Sequence, residues 1–136
     1  DIDYTLRAFP NHHRALNSIA RFALRNGKLL NPAIPSADCY FKRAMMFAPD
    51  DEVVRMLFAN YLVKRGDRNE ARRQYEEALK IAPNSAEANY NAGLFFLGEG
   101  DLSRAKDLAK VAYERGYPLP GLRRKIEASE AAQSKR

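Results

Sequence analysis

The chain has 136 residues, which is enough for one domain of ordinary size and too few for two. Hydrophobic residues make up 46% and charged residues 29% of it, an ordinary balance for a globular protein, and no apolar stretch approaches the ~20 residues that a membrane-spanning helix needs. The single cysteine, Cys39, excludes an internal disulfide and a multi-cysteine zinc site. We expect Cys39 to be buried on a helix, because a free cysteine behaves as a small hydrophobe.

The net charge is +6, and the excess is spread thinly along the chain. Residues 1–51 and 52–85 each carry a net +2, residues 86–119 carry −1, and residues 120–136 carry +3. A nucleic-acid-binding module usually concentrates its basic residues on one face or stripe. The distribution therefore favours acidic partners mildly and is not typical of nucleic-acid binding.

Residues 1–12 have the pattern of the end of a helical unit. The chain begins at Asp1 rather than at a methionine, and its first segment ends at Pro10, a residue that commonly follows a helix. We therefore expect residues 1–12 to be the tail of a truncated preceding segment.

Residues 13–51 are predicted to form a helical hairpin with an enlarged turn. Apolar residues fall on one face of a first helix that ends near Gly27, and a second helix is predicted over 37–48. Between them, two prolines and an asparagine make residues 28–36 a non-helical insertion relative to the later units. Ser36 can cap the second helix.

Residues 52–85 and 86–119 are related by a shift of 34 positions, which superposes Gly66-Asp67 on Gly100-Asp101 and Ala71 on Ala105. A fixed period of this length indicates stacked units that are each too small to bury their own apolar face. The alanines let two helices approach closely, and each Gly-Asp pair provides a helix end followed by a cap. Each unit is therefore predicted to be a helix–turn–helix, with residues 120–136 as a helix that caps the last unit.

These units resemble tetratricopeptide repeats, whose pattern is W-x2-L-G-x2-Y, then A-x3-F, then P. The small residues Ala59 and Gly93, the two superposed alanines and Pro83 match that pattern, whereas neither unit keeps the tryptophan. The resemblance covers residues 13–119 as three repeats. It implies an all-α fold, a right-handed superhelical α-solenoid of antiparallel helical hairpins, which binds partner proteins without catalysing a reaction.

The resemblance also implies a concave groove lined by the first helix of each repeat. At the positions that face this groove we predict the following partner-binding residues: Arg14, Asn17, Arg21, Met56, Asn60, Lys64, Tyr90, Asn91 and Leu94. Basic, amide and adaptable apolar groups together suit a peptide or helix with acidic and apolar residues. For the apolar members, packing against a neighbouring helix is the alternative. A two-carboxylate clamp for chaperone tails is disfavoured, because Glu87 would repel a carboxylate.

No set of residues indicates catalysis, a cofactor or a metal. The chain has no glycine-rich phosphate loop and no nucleophile elbow. His12 and His13 are adjacent, so on a helix they would point about 100° apart and make poor joint ligands; we expect them to cap or precede the first helix. The predicted function is therefore a non-catalytic scaffold or assembly adaptor, with a basic nucleic-acid-binding repeat protein as the alternative.

The expected partner is another protein, and exposed terminal repeats also allow a homo-oligomer. The sequence does not set the compartment. Compact three-repeat modules are common in bacteria, including in envelope assemblies, so we expect a bacterial periplasmic or envelope-associated protein, with the cytoplasm as the alternative.

Overall fold

The computed structural model describes residues 2–26 and 36–135, and this part of the chain is all-α, without a strand. Its helices are, in chain order, α1 Ile2–Ala8, α2 His13–Asn26, α3 Ala37–Phe47, α4 Glu52–Arg65, α5 Arg68–Ile81, α6 Ala86–Gly98, α7 Leu102–Glu114 and α8 Gly121–Ser134. They form two compact units, which we call unit 1 (Asp1–Ile81) and unit 2 (Ala82–Arg136). None of the described helices is long and apolar enough to cross a membrane.

The helices predicted from the sequence are confirmed. The sequence pattern predicts helices at 12–26, 37–48, 52–65, 69–82, 86–98, 102–115 and 120–132, and each of the corresponding helices begins and ends within two residues of these bounds. The tail over residues 1–12 contains the additional short helix α1. Apart from Ser36, the turn insertion predicted at 28–36 lies outside the described residues.

The predicted turn between α4 and α5 forms with one difference. Gly66 has a left-handed φ of 95°, and the backbone N–H of Asp67 donates to Leu62 O at 2.9 Å, which closes the end of α4. The Asp67 carboxylate accepts the Glu70 N–H at 3.3 Å, as a cap should. The spacing of Asp67 and Glu70 would allow a capping box, but it is only half formed, because the Asp67 N–H already donates to Leu62 O and the Glu70 carboxylate accepts from Gln74 Nε2 at 3.1 Å.

Small residues bring the helices of each hairpin together. In unit 1, Ala59 of α4 and Ala71 of α5 are fully buried; in unit 2, Gly93 of α6 is buried and Ala105 of α7 is fully buried. Side chains of this size leave the least space between two helix backbones, whereas larger ones would hold the helices apart. Ala71 and Ala105, which occupy equivalent positions of the repeat, therefore lie where the two helices of each hairpin pack against each other.

Aromatic rings join α3 to α4 in unit 1. Phe41 stacks on Phe58, with ring centroids 4.9 Å apart, and lies 5.9 Å from the Tyr61 ring. All three side chains are buried. Stacked aromatic pairs are worth about 0.5–1.5 kcal/mol beyond the area that they bury. Tyr40 of α3 also donates a hydrogen bond to Asp3, which ties α1 to the same helix.

Helix α8 completes the core of unit 2. Leu122 is fully buried and Ile126 is nearly so, and both pack with residues of α6 and α7. The start of α8 is held by the Tyr113 hydroxyl, which donates to Leu119 O at 2.9 Å and accepts the Arg123 N–H at 3.1 Å. Helix α8 thus covers an apolar surface of the α6–α7 hairpin, which is the position that a capping helix takes.

Cys39 is exposed, so the prediction that it would be buried is wrong. The buried residues of α3 are Ala37, Tyr40, Phe41 and Ala44. They follow the spacing of a single helical stripe, and Cys39 falls between its members on the outer side. The exposure of Cys39 therefore follows from helical periodicity and not from the general preference of cysteine for burial.

Asp51 links the loop before α2 to the start of α4. One carboxylate oxygen caps α4 by accepting the N–H groups of Val53 and Val54 at 3.1 and 3.3 Å. The other accepts from Asn11 Nδ2 at 3.1 Å and bonds His13 Nε2 at 2.7 Å. Burial raises the pKa of Asp51, but the hydrogen bonds from His13 and Asn11 outweigh this effect, so that its pKa lies below the ordinary value.

We expect Asp51→Ala to lower the free energy of unfolding by about 1–2 kcal/mol, because the change removes a helix cap and a link between two segments. Since the folded pKa is depressed, the contribution is present above the unfolded pKa of 3.8 and is lost as the pH falls through the folded value. Urea unfolding near neutral pH and below pH ~3 measures both effects. The neighbouring, exposed Asp50→Ala is the control, and a deficit as large for Asp50→Ala would contradict the assignment.

Candidate partner-binding surface

The outer side of α2 is a basic face, which we define as Arg14, Asn17, Arg21 and Arg25. These residues are exposed and follow helical spacing, so their side chains lie along one line. Helix α2 contains no aspartate or glutamate. Positive charge without compensation is therefore concentrated on this helix, although the charge of the whole chain is spread thinly.

The arginines of the basic face are not engaged by carboxylates. In the described residues, ion pairs hold Arg7 to Asp3 at 2.9 Å and Arg65 to Asp38 at 2.5 Å. No described carboxylate lies within ion-pair distance of Arg14, Arg21 or Arg25. Arg21 and Arg25 are four residues apart, where like charges destabilise a helix slightly. The arrangement costs some helix stability and leaves the guanidinium groups available to an acidic ligand.

A pocket of about 420 Å³ adjoins the basic face, between α1 and α2. It is lined by Ile2, Ser18, Arg21, Phe22, Leu24 and Arg25. Ile2 and Phe22 are 38% and 40% exposed. The pocket therefore combines an apolar floor with two guanidinium groups.

On α4, the predicted residues have different surroundings. Lys64 is exposed at the end of the helix, with no ion-pair partner in the described part of the chain. Asn60 is half-buried and accepts a hydrogen bond from the Tyr75 hydroxyl, whose pKa is raised by burial. Met56 is 3% exposed, so its prediction as a binding residue does not fit the structure. The alternative of core packing describes Met56 better.

In unit 2, Tyr90 is buried rather than available to a ligand. Its ring stacks on Tyr117 at 3.9 Å between centroids and meets the Tyr113 ring edge-on at 6.5 Å. Leu94 is half-buried against the same cluster, and Asn91 donates its side-chain amide to Glu87 O at 2.9 Å. The prediction of Tyr90 as a surface residue is corrected, because two rings from outside its own helix cover it.

The structure therefore brings three of the predicted residues together, Arg14, Asn17 and Arg21, and leaves Lys64 exposed within the same unit. The sequence pattern did not predict that Ile2 and Phe22 line a pocket beside these residues. The available signal was an apolar residue on the outer, polar side of an amphipathic helix: Phe22 follows Arg21 directly and lies beside the buried stripe of α2.

The two histidines have structural partners. His12 accepts the Ala15 N–H on Nδ1 at 3.2 Å, which caps α2 as predicted, and His13 bonds Asp51. Over residues 2–26 and 36–135, no three histidine, cysteine or acidic side chains are grouped closely enough to hold a metal ion.

A second pocket of about 600 Å³ lies between α7 and α8 in unit 2. Tyr113 and Ile126 contribute to its apolar floor, and its rim carries lysine, arginine and glutamate side chains. One pair on this rim, Lys106 and Glu130, lies 3.5 Å apart. The charges of this rim compensate one another, so this pocket shows no preference for a ligand of either sign.

The described chain thus belongs to the class of all-α proteins built from helical hairpins. The sequence profile of the tetratricopeptide-repeat family matches residues 56–119. The chain is therefore similar to tetratricopeptide-repeat proteins over that segment.

The chain is also similar to two curated mammalian proteins. It is 34% identical over 73 residues to human protein IFIT1 homolog B, which covers 54% of this chain and 15% of that protein. It is 33% identical over 67 residues to mouse interferon-induced protein with tetratricopeptide repeats 3, which covers 49% of this chain and 17% of that protein. The chain therefore spans less than a fifth of the length of these relatives.

Two solved structures share the fold. The structure titled MamA MSR-1 C2 has a TM-score of 0.56 and 17% identity, and covers 84% of this chain and 63% of its own. The crystal structure of MamA has a TM-score of 0.54 and 17% identity, and covers 84% of each chain. At this identity the likeness shows the all-α helical-repeat fold alone.

Proposed function

We propose that the chain is a non-catalytic protein-interaction module that binds an acidic segment of a partner protein on unit 1. The observation that carries the proposal is the basic face of α2, whose arginines have no carboxylate partner among the described residues. Helices α2 and α4 pack against each other, and the proposal includes the exposed Lys64 of α4 as a further positive group. The similarity of residues 56–119 to tetratricopeptide repeats supports protein binding as the general activity, since repeats of this kind present extended surfaces to partners.

The partner's chemistry follows from the groups that face it. Arginine forms bidentate, charge-assisted hydrogen bonds with carboxylates, and Asn17 adds a neutral donor and acceptor within the same line. Asn60 and Asn91 already have hydrogen-bond partners, and Met56 and Tyr90 are buried. The proposed surface is therefore narrower than the groove predicted from the sequence, and it is more strongly basic.

A charge-reversal pair tests the proposal. We expect Arg21→Glu with Lys64→Glu to leave the fold intact, because both side chains are exposed, and to weaken partner binding by ~10-fold or more. The matched control is Lys42→Glu with Arg72→Glu, which makes the same charge change on the second helices α3 and α5 of the same unit. Pull-downs with the three baits, compared by quantitative mass spectrometry, identify partners that only the α2–α4 pair loses.

The opposite pattern, with binding lost in the control pair and retained in the α2–α4 pair, would place the working surface on the second helices. Nucleic acid is the alternative ligand and needs its own measurement. Fluorescence polarisation with mixed-sequence DNA and RNA over a salt series separates the two classes, because phosphate binding weakens steeply with salt. Tight, steeply salt-dependent binding of nucleic acid, lost in the α2–α4 pair, would replace the protein-binding proposal.

A further inference from the structure

Helix α3 exposes two large apolar side chains on the side that faces away from α4. Met46 is 85% exposed, the highest fraction among the large apolar side chains of the described residues, and its neighbour Phe47 is 63% exposed. The opposite side of α3 is buried, where Phe41 contacts the rings of Phe58 and Tyr61. Met46 and Phe47 thus form an apolar patch in contact with solvent, and exposed apolar patches mark sites that contact proteins or membranes.

Two cations of the same helix lie one turn from this apolar pair. Lys42 and Arg43 are exposed, and each precedes one of the apolar residues by four positions, so all four side chains lie on the outer side of α3. We call Lys42, Arg43, Met46 and Phe47 the outer strip. The one acidic residue of α3 is Asp38, which Arg65 holds at 2.5 Å. The outer strip therefore combines exposed apolar groups with positive charge.

The helices around α3 are described, and none of them covers the outer strip. Tyr40 donates a hydrogen bond to Asp3, which places α1 beside α3, and α2 and α4 both pack against α3. Asp3 is the one carboxylate of α1, and it also holds Arg7 at 2.9 Å. The next exposed carboxylate along the chain is Asp50, which lies beyond the end of α3. The positive charge of the outer strip is therefore not cancelled by the acidic groups of α1 and α3.

We infer that the outer strip is a contact site for the surface of a membrane that contains anionic lipids. The pockets described above are lined by other residues, and the outer side of a single helix is convex, which suits a deformable ligand better than a rigid one. A bilayer interface is fluid, and apolar side chains enter it to a depth of about 5–10 Å without a preformed cleft. This site is separate from the protein-binding surface proposed on α2 and α4.

The two halves of the outer strip have different roles in this contact. Met46 and Phe47 enter the boundary between headgroups and acyl chains. Lys42 and Arg43 extend their charged ends to the lipid phosphates, as long cationic side chains do at a membrane interface. Each cation near an anionic membrane surface raises the affinity by about fivefold, so charge and apolar area contribute together.

Vesicle sedimentation with the whole chain tests the inference directly. One set of sucrose-loaded vesicles contains phosphatidylcholine alone, and the other contains equal parts of phosphatidylcholine and phosphatidylglycerol. We expect the chain to bind the anionic vesicles, and to bind the neutral vesicles at least ~10-fold more weakly. Added salt is expected to weaken binding to the anionic vesicles, because it screens the lysine and arginine charges.

A matched pair of charge variants separates the outer strip from the net charge of the chain. Lys42→Gln with Arg43→Gln is expected to lower the partition coefficient on anionic vesicles by ~10-fold or more. Arg124→Gln with Lys125→Gln removes the same charge from adjacent exposed positions of α8, and is expected to change it by less than ~2-fold. Circular dichroism of both variants checks that each remains folded.

The apolar half of the outer strip is tested at Phe47, with Leu119 of unit 2, 55% exposed, as the control. Phe47→Ser is expected to lower the partition coefficient by ~10-fold, and Leu119→Ser by less than ~2-fold. The chain contains no tryptophan, so a single introduced one reports its own surroundings. We expect Phe47→Trp to shift its fluorescence emission to shorter wavelength when anionic vesicles are added, and Leu119→Trp to show no shift.

Several results would overturn the inference. These are no binding to anionic vesicles, equal binding to neutral ones, or losses as large in the α8 and Leu119 controls as in the outer strip. Self-association of the chain that Phe47→Ser abolishes, without vesicle binding, would show that a second copy covers the patch. Loss of a pull-down partner in Phe47→Ser, again without vesicle binding, would assign the patch to a protein.

Discussion

Replacing Leu122 by alanine is expected to destabilise unit 2 by about 2–5 kcal/mol, the largest single effect that we predict. Leu122 is fully buried, and its Cδ2 atom lies only 2.6 Å from the position that a Cβ on Gly93 would take. Truncation removes buried methyl groups and leaves a cavity where α8 meets α6. Urea denaturation followed by circular dichroism measures the loss, and Leu119→Ala is the matched control, because Leu119 is 55% exposed in the same unit.

The contact between Gly93 and Leu122 can be tested further with a double-mutant cycle. Gly93→Ala alone gains up to about 1 kcal/mol of helix propensity but forces its new methyl group against Leu122. In the Leu122→Ala background that clash is absent, so the same change is expected to be more favourable. Equal effects of Gly93→Ala in both backgrounds would show that α8 does not pack on Gly93, because residues in contact are expected to be non-additive.

The parts of the fold that sequence periodicity could predict are those held by local contacts. The helix bounds, the Gly66 turn and the burial of Ala71 and Ala105 follow from spacing and turn chemistry within one hairpin. Cys39 was predictable in the same way, since the buried stripe of α3 excludes it. At this position the helical pattern decides exposure, and the general preference of cysteine for burial does not.

The misassigned residues depend on contacts distant in sequence. The position of Tyr90 on its helix predicts which way it points, but its burial comes from Tyr113 and Tyr117, which follow more than twenty residues later. The bond between His13 and Asp51 likewise joins residues 38 positions apart. Helical periodicity assigns a face to a side chain, and only the tertiary arrangement shows whether another group covers that face.

The sequence predicted the polar part of the candidate surface but not its apolar part, which again depends on contacts between helices. Arg14, Asn17 and Arg21 remain exposed because nothing in the described chain packs on the outer side of α2. The pocket beside them requires Ile2 of α1, a helix that sequence analysis treated only as a tail. The apolar part of the surface therefore depends on the packing of α1 against α2, which helical periodicity alone does not show.

Replacing Ala71 by leucine is expected to destabilise unit 1 by about 1–3 kcal/mol. Ala71 is fully buried where α5 packs on α4, so three extra carbon atoms have no space unless the helices separate. Ala105→Leu makes the equivalent change in unit 2 and is expected to have a loss of the same order. Thermal and urea unfolding measure both, and Ala128→Leu, at an exposed position of α8, is the control. A melting temperature unchanged by Ala71→Leu would mean that Ala71 does not lie on the hairpin contact, and the repeat alignment that placed it there would be wrong.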